Sequence, residues 1–149
     1  MAQPEQKQPI DELRAQVSRM LDSLAPGTPI AATVVFQVDR TKESTFLRNA
    51  DVLTEATRKL PGCKVFAFHR HKSLQPEPAY PRAVEYLIYE DWETRDLFRV
   101  QWDSEHLKHF QYTVGDLVVE PPDLAFYYGW DGPSTAAPVL KTGQTRCWD

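Results

Sequence analysis

The sequence predicts an α+β domain in which a four-stranded antiparallel sheet carries helices on one face. Three observations predict it. Four stretches rich in β-branched or aromatic residues occur at 30–38, 65–71, 83–92 and 124–130. Helical patterns separate the first from the second and the third from the fourth, giving the order βαββαβ. The first and last strands are apolar on both parities, as VVF and FYY, which asks for cover on both faces of the sheet.

Each element follows from local pattern. Residues 10–24 place Ile10, Leu13, Val17, Met20, Leu21 and Leu24 at steps of three and four between Pro9 and Pro26-Gly27, the mark of an amphipathic helix. It precedes the main pattern, so it must dock on its own domain or on a partner chain. Residues 30–38 (IAATVVFQV) read as a strand, and the polar cluster 39–44 ends it and offers Ser44 as a helix cap. Phe46, Ala50, Leu53, Thr57 and Leu60 then recur at helical spacing until Pro61-Gly62. The three prolines within 73–81 mark an exposed loop between strands two and three. The third strand is AVEYLIYEDW, residues 83–92. A helical stretch over 93–119 follows, interrupted near Asp103-Ser104 where a second cap is available and stopped before Pro121-Pro122. LAFYYGW, residues 124–130, closes the set. The chain thus divides into an N-terminal extension (1–29), a ferredoxin-like domain (30–130) and a C-terminal tail (131–149).

Two main helices cover only one face of such a sheet, so a second protomer's sheet is expected on the other, as a homodimer. The tail holds Pro138-Val139-Leu140 and Trp148 in a polar setting, which suggests that it crosses to that partner.

Composition narrows the function. With 149 residues, 42% hydrophobic and 26% charged, the chain suits one compact domain. A net charge of −4 and scattered Lys and Arg residues leave no footprint for nucleic acid. The polar start MAQPEQKQP is no secretory signal, and no apolar run approaches the roughly 20 residues that span a bilayer, so a soluble, cytoplasmic protein is expected. Cys63 and Cys147 have neither zinc nor CxxC spacing. They are expected as free thiols, with a tail-to-body disulfide as the alternative.

The strongest local signal is Tyr89-x-x-Trp92-Glu93-(x)4-Phe98-Arg99-Val100-x-Trp102, followed by Ser104-x-His106 and Phe110. It resembles the strand-to-helix segment of the antibiotic biosynthesis monooxygenases, most closely the cofactor-free oxygenases that convert polyketide anthrones to quinones. Pro61-Gly62 and the strand ending in Phe68-His69 resemble the matching strand of those enzymes. The resemblance spans about 30–130. It implies a dimeric α+β barrel with a pocket in each protomer, where a small planar aromatic substrate meets dioxygen, the co-substrate, without flavin, haem or metal.

Such chemistry needs a base near neutral pKa, a donor for the resulting anion and apolar walls, because an electron-rich phenolate or carbanion can itself pass an electron to dioxygen. His69 is the first candidate for base or anion-stabilising donor, Trp92 for hydrogen-bond donor and Tyr86 for a further polar contact. If Trp92 faces the pocket, Val84, Tyr86 and Ile88 share its side by the period of two, while Glu85, Leu87, Tyr89 and Asp91 face the dimer side. His69 shares its own side with Val65 and Ala67. The expected substrate contacts are Ile88, Phe98, Val65, Ala67, Trp102 and His109. The resembling enzymes have a tyrosine, taken as proton donor to a peroxy intermediate, at the position of Phe98, and an asparagine at Ile88. His69, His106 or Tyr86 would then handle the proton, or the reaction differs.

Plainer readings stand beside these. Trp92 could be core or interface packing, His106 and His109 could be solvated or structurally bonded, and Arg99 could be a surface ion-pairing residue or a guide for an anionic substrate. His69-x-His71 with Glu85 or Glu90 could suggest a metal, but only Glu90 shares Trp92's face and no HExxH or Cys pair supports a site. No metal or other cofactor is expected. Haem degradation is disfavoured because the axial histidine of related folds falls at Gln111 here.

The leading expectation is a cofactor-independent monooxygenase that oxidises an aromatic polyketide, anthrone or hydroquinone to a quinone in natural-product biosynthesis. A non-oxidative cyclase, isomerase or lyase on the same scaffold is one alternative. A non-enzymatic ligand-binding module is the other.

Overall fold

The computed structural model describes residues 8–129 apart from Tyr80; Trp130 and the tail, with Cys147, Trp148 and the expected crossing to a partner, lie outside the described residues. In chain order the elements are α1 (Gln8–Asp22), β1 (Ile30–Asp39), α2 (Glu43–Arg58), β2 (Cys63–Arg70), β3 (Ala83–Trp92), α3 (Arg95–Trp102), α4 (Glu105–Val114) and β4 (Asp123–Tyr128). The strands form one antiparallel sheet in the order β2-β3-β1-β4. This is the ferredoxin-like fold expected from the βαββαβ order.

Register decides which side chains meet. Ile30 lies opposite Trp92, Ala32 opposite Glu90, Val34 opposite Ile88 and Phe36 opposite Tyr86. Directly paired residues point to the same face, so the even-numbered residues of β1 and β3 form one surface under the helices. Phe66 and Phe68 of β2 and Leu124 and Phe126 of β4 join it. Phe46 on α2 and Phe110 on α4 close over Phe36 with ring centroids 5.4 and 5.9 Å away. Full burial of a side chain of this kind stabilises the fold by roughly 1.5–3 kcal/mol.

One irregularity overturns a parity inference. The pairing of β2 with β3 starts at Cys63↔Trp92 and then slips by one residue, to Val65↔Asp91, Ala67↔Tyr89 and His69↔Leu87. Lys64 is the extra residue, and it inverts the facing of everything after it. Without the slip, His69 would stand opposite Tyr86 on the helix-covered face. With it, Val65, Ala67 and His69 lie with Leu87, Tyr89 and Asp91 on the open face of the sheet.

Helix ends follow local chemistry. Ser104 caps α4 as expected, accepting the Leu107 N–H at 3.2 Å, and Thr94 caps α3 through the Leu97 N–H at 3.1 Å. Ser44 does not cap α2; a 3-10 turn over Arg40–Lys42 leads in, closed by the Asp39 carboxylate accepting from the Thr41 N–H at 2.9 Å. The last helix stops at Val114 rather than 119. Residues 117–119 instead run beside the end of β1, where the Asp39 N–H donates to Leu117 O and the Val119 N–H to Gln37 O, both at 2.8 Å. β4 reaches only Val35, so the exposed edge beyond it takes these backbone groups. Gly62, with φ of 85°, makes the turn into β2, and a Cβ there would run into the Leu97 side chain.

α1 docks on its own domain. Val17 and Leu21 are buried in the core, while Arg95 donates to Leu21 O at 3.0 Å and Arg99 bonds Asp22 and Ser18 O. Arg99 is therefore a bridge between α3 and α1. The opposite face of the sheet stays open, with Tyr89, Val65 and Tyr127 exposed. No described helix is long and apolar enough to cross a membrane.

Candidate active site

A cavity of about 320 Å³ lies between the sheet and the helices. Its floor is Ala32, Val34 and Phe36 of β1 with Ile88 and Glu90 of β3. Phe98 and Trp102 of α3 and Leu107 and Phe110 of α4 roof it, and Ile10, Leu13 and Arg14 of α1 form one side. Residues 118–122 and the β4 side chains Leu124 and Phe126 complete the wall. These walls are almost wholly apolar, so the few polar groups among them stand out.

Glu90 is the most consequential. It is 6% exposed, and its Oε1 accepts the Trp92 indole N–H at 2.7 Å. Burial pushes its carboxyl up to about 7, and the Trp92 bond opposes that rise only in part. A carboxyl that both gains and loses a proton near neutrality is suited to general acid–base work. Trp92 is fully buried behind it, edge-on to Phe98 with centroids 5.9 Å apart. Its N–H is thus given to Glu90.

On the α1 side of the cavity the Arg14 guanidinium stacks 4.7 Å from the centre of the Trp102 ring. It donates to Trp102 O at 2.6 Å and to the Gln111 side chain. The Trp102 indole N–H is buried with no hydrogen-bond partner, an uncommon state for a polar group in a core.

The sequence-predicted residues divide sharply. Ile88, Phe98 and Trp102 line the cavity. Tyr86 shares the buried face, but its hydroxyl donates to Glu43, which also accepts from Arg70 Nε at 3.1 Å, and the phenol is pushed up to about 12 by burial and that carboxylate. Its polar end is thereby turned away from the cavity. His106 sits half-buried on α4 with Nε2 2.7 Å from Gln101 Oε1, and Gln101 Nε2 donates to Thr57 Oγ1 at 2.9 Å. This buried link ties α2, α3 and α4 together, and burial lowers the His106 pKa. His109 is exposed on α4. His69, Val65 and Ala67 are placed on the open face by the register slip described above. Among the described residues no three His, Cys, Asp or Glu side chains gather to hold a metal ion.

Two residues of the site were missed as candidates for handling substrate: Glu90, weighed only as a metal ligand, and Arg14. Glu90 had a visible signal: it is the only charged residue on the even parity of β3, amid Val84, Tyr86, Ile88 and Trp92. Arg14 had none, since a cation beside an apolar stripe is ordinary on a surface helix.

Comparison with known proteins decides the family. The model of the family described as antibiotic biosynthesis monooxygenase matches residues 29–113, more than half of the chain. The chain belongs to the antibiotic biosynthesis monooxygenase family. Solved structures agree on the fold. Rv0793 from Mycobacterium tuberculosis is 20% identical with a TM-score of 0.56, covering 71% of this chain and 99% of its own. A candidate antibiotic biosynthesis monooxygenase from Nitrosomonas europaea is 21% identical at 0.54, over 71% and 93%. One from Caulobacter crescentus is 17% identical at 0.59, over 73% and 95%. No curated protein matches the chain.

Within this monooxygenase family member, the matched segment supplies Glu90, Trp92, Phe98 and Trp102. Arg14, with the rest of α1, lies outside it, as do the wall residues from Val114 onward.

Proposed function

We propose that this family member is a cofactor-independent monooxygenase that oxidises an anthrone, hydroquinone or related aromatic polyketide to the quinone. The observation that carries the reading is Glu90, a carboxyl with a pKa of about 7 at the floor of an apolar cavity. The cavity is at the lower end of the roughly 300–1,000 Å³ typical of small-molecule sites, a size suited to a few fused rings.

The steps balance without an added reductant. Ionised Glu90 takes a proton from the acidic carbon or phenol of the substrate. The substrate anion gives one electron to dioxygen, and the radical pair joins as a carbon–oxygen bond. Protonated Glu90 returns its proton to the peroxide. Loss of the remaining hydrogen on that carbon, with cleavage of the O–O bond, leaves a carbonyl and one water. Overall the CH2 group of an anthrone and O2 become C=O and H2O, whereas a hydroquinone gives up two hydrogens to O2, leaving H2O2 and no new oxygen in the quinone. Trp92 holds the carboxylate in place, and the aromatic walls exclude water from the anion. Phe98 requires that Glu90 both accept and return the proton, since no phenol stands at that position.

The reading includes a homodimer. The open face presents Val35, Leu87, Tyr89 and Tyr127, a surface that a second copy can cover with the same residues. Light scattering of the intact chain should give twice the chain mass, and Tyr89→Glu should shift it toward the monomer.

The deciding experiment supplies labelled dioxygen to colourless, metal-free protein with 1,8-dihydroxyanthrone and a panel of related anthrones, whose reacting carbon is a CH2 group. One labelled oxygen atom is expected in the quinone, and Glu90→Gln should abolish it. No label above the uncatalysed reaction, across the panel, refutes the oxygenase. Phe98 also favours a second reading, a proton-transfer cyclase or isomerase, because Glu90 alone suffices for that chemistry. Turnover under strict anaerobiosis would select it.

A further inference from the structure

We infer that Arg14 is a specificity-determining residue, binding a carboxylate or other oxyanion at the edge of the substrate remote from the reacting carbon. The inference deepens the oxygenase reading and rests on its assignment of the cavity as an aromatic site.

Four observations carry it. Arg14 is the one cationic side chain among the described lining residues. It is held in place by stacking on Trp102 and by bonds to Trp102 O and Gln111, which cost it side-chain freedom before any ligand arrives. Two donors fixed of five leave guanidinium N–H groups for a ligand. The Trp102 indole N–H, in the ring under that guanidinium, is buried without an acceptor, so no protein acceptor occupies this corner.

The charges are also separated. Glu90 stands in the sheet floor on β3, whereas Arg14 enters from α1 and is held over Trp102. The cavity therefore has a proton-handling end in the sheet and a cationic end under α1. Glu120 is the remaining charged group of the lining; it is exposed, where solvent screens it. A planar aromatic acid fits this polarity, with its anion toward Arg14 and its acidic C–H or O–H toward Glu90. α1 lies outside the family-matched segment, so the preference belongs to this chain's own extension.

The test is binding of two fluorescent probes that share a ring system: anthracene-2-carboxylate and its neutral counterpart anthracene-2-carboxamide. The wild-type chain should bind the carboxylate at least tenfold more tightly, as a charge-assisted hydrogen bond implies. Arg14→Met should bring the two affinities together, Arg14→Lys should restore part of the preference, and Arg19→Met, an exposed cation on the same helix, should change neither. Circular dichroism establishes that each variant is folded. Equal affinities in the wild type, or a preference that survives Arg14→Met, overturn this inference alone. Failure of both probes to bind overturns it together with the aromatic-site reading.

Discussion

Replacing Glu90 by Gln should remove a fall in stability that the wild type shows between about pH 4.5 and 7, while removing its activity. Glu90 carries a pKa of about 7 when folded against an ordinary 4.5, so the folded state holds its proton where the unfolded chain has released it. Stability from this group is complete below about pH 4.5, falls as pH rises toward 7 and is flat above. At about 1.4 kcal/mol per pK unit, the loss amounts to roughly 3 kcal/mol. The amide that Glu90→Gln introduces cannot ionise and still offers an oxygen to the Trp92 N–H, so the variant lacks that fall. Its N–H groups find no built partner, which adds a penalty of about 1–3 kcal/mol that does not vary with pH. The quantity to read is therefore the slope. Urea unfolding of both proteins at pH 5, 6, 7 and 8 should show the variant gaining on the wild type by about 2–3 kcal/mol across the series and levelling off beyond 7. Parallel pH dependences would refute the buried-carboxyl argument, and with it the case for Glu90 as the base.

Other predictions follow from the same geometry. Trp92→Phe removes the hydrogen bond that favours the carboxylate, so the ascending limb of the pH–rate profile should move to higher pH; an unmoved profile would show that the bond does not tune Glu90. Glu90→Gln should lower kcat by about a hundredfold or more, as for loss of a general base, whereas His69→Ala, on the open face, should leave it within about threefold. The reverse order in a steady-state oxygen-uptake assay would return the base to His69. Ser104→Ala and Thr94→Ala each remove a helix cap and should cost about 1 kcal/mol in urea unfolding, additively, since the caps serve different helices.

The amino-acid sequence by itself determined the elements and their order. Strand alternation in β3 and helical spacing from Phe46 to Thr57 are local patterns, and the βαββαβ order leaves few ways to pair the strands. The Tyr89 to Phe110 segment likewise carried the family. What only tertiary structure decided was which residues share a space. The Lys64 slip moved His69 from the expected pocket to the open face, and a one-residue change in pairing register leaves no trace in periodicity because both strands still alternate. The proton affinity of Glu90 depends on burial by side chains from β1, β4, α3 and α4 as well as its own strand. Arg14 reaches the cavity only because α1 folds back on its own domain. Each of these is a fact about neighbours distant in the chain, and low dielectric and hydrogen-bond partners are properties of the assembled surroundings that no residue carries alone.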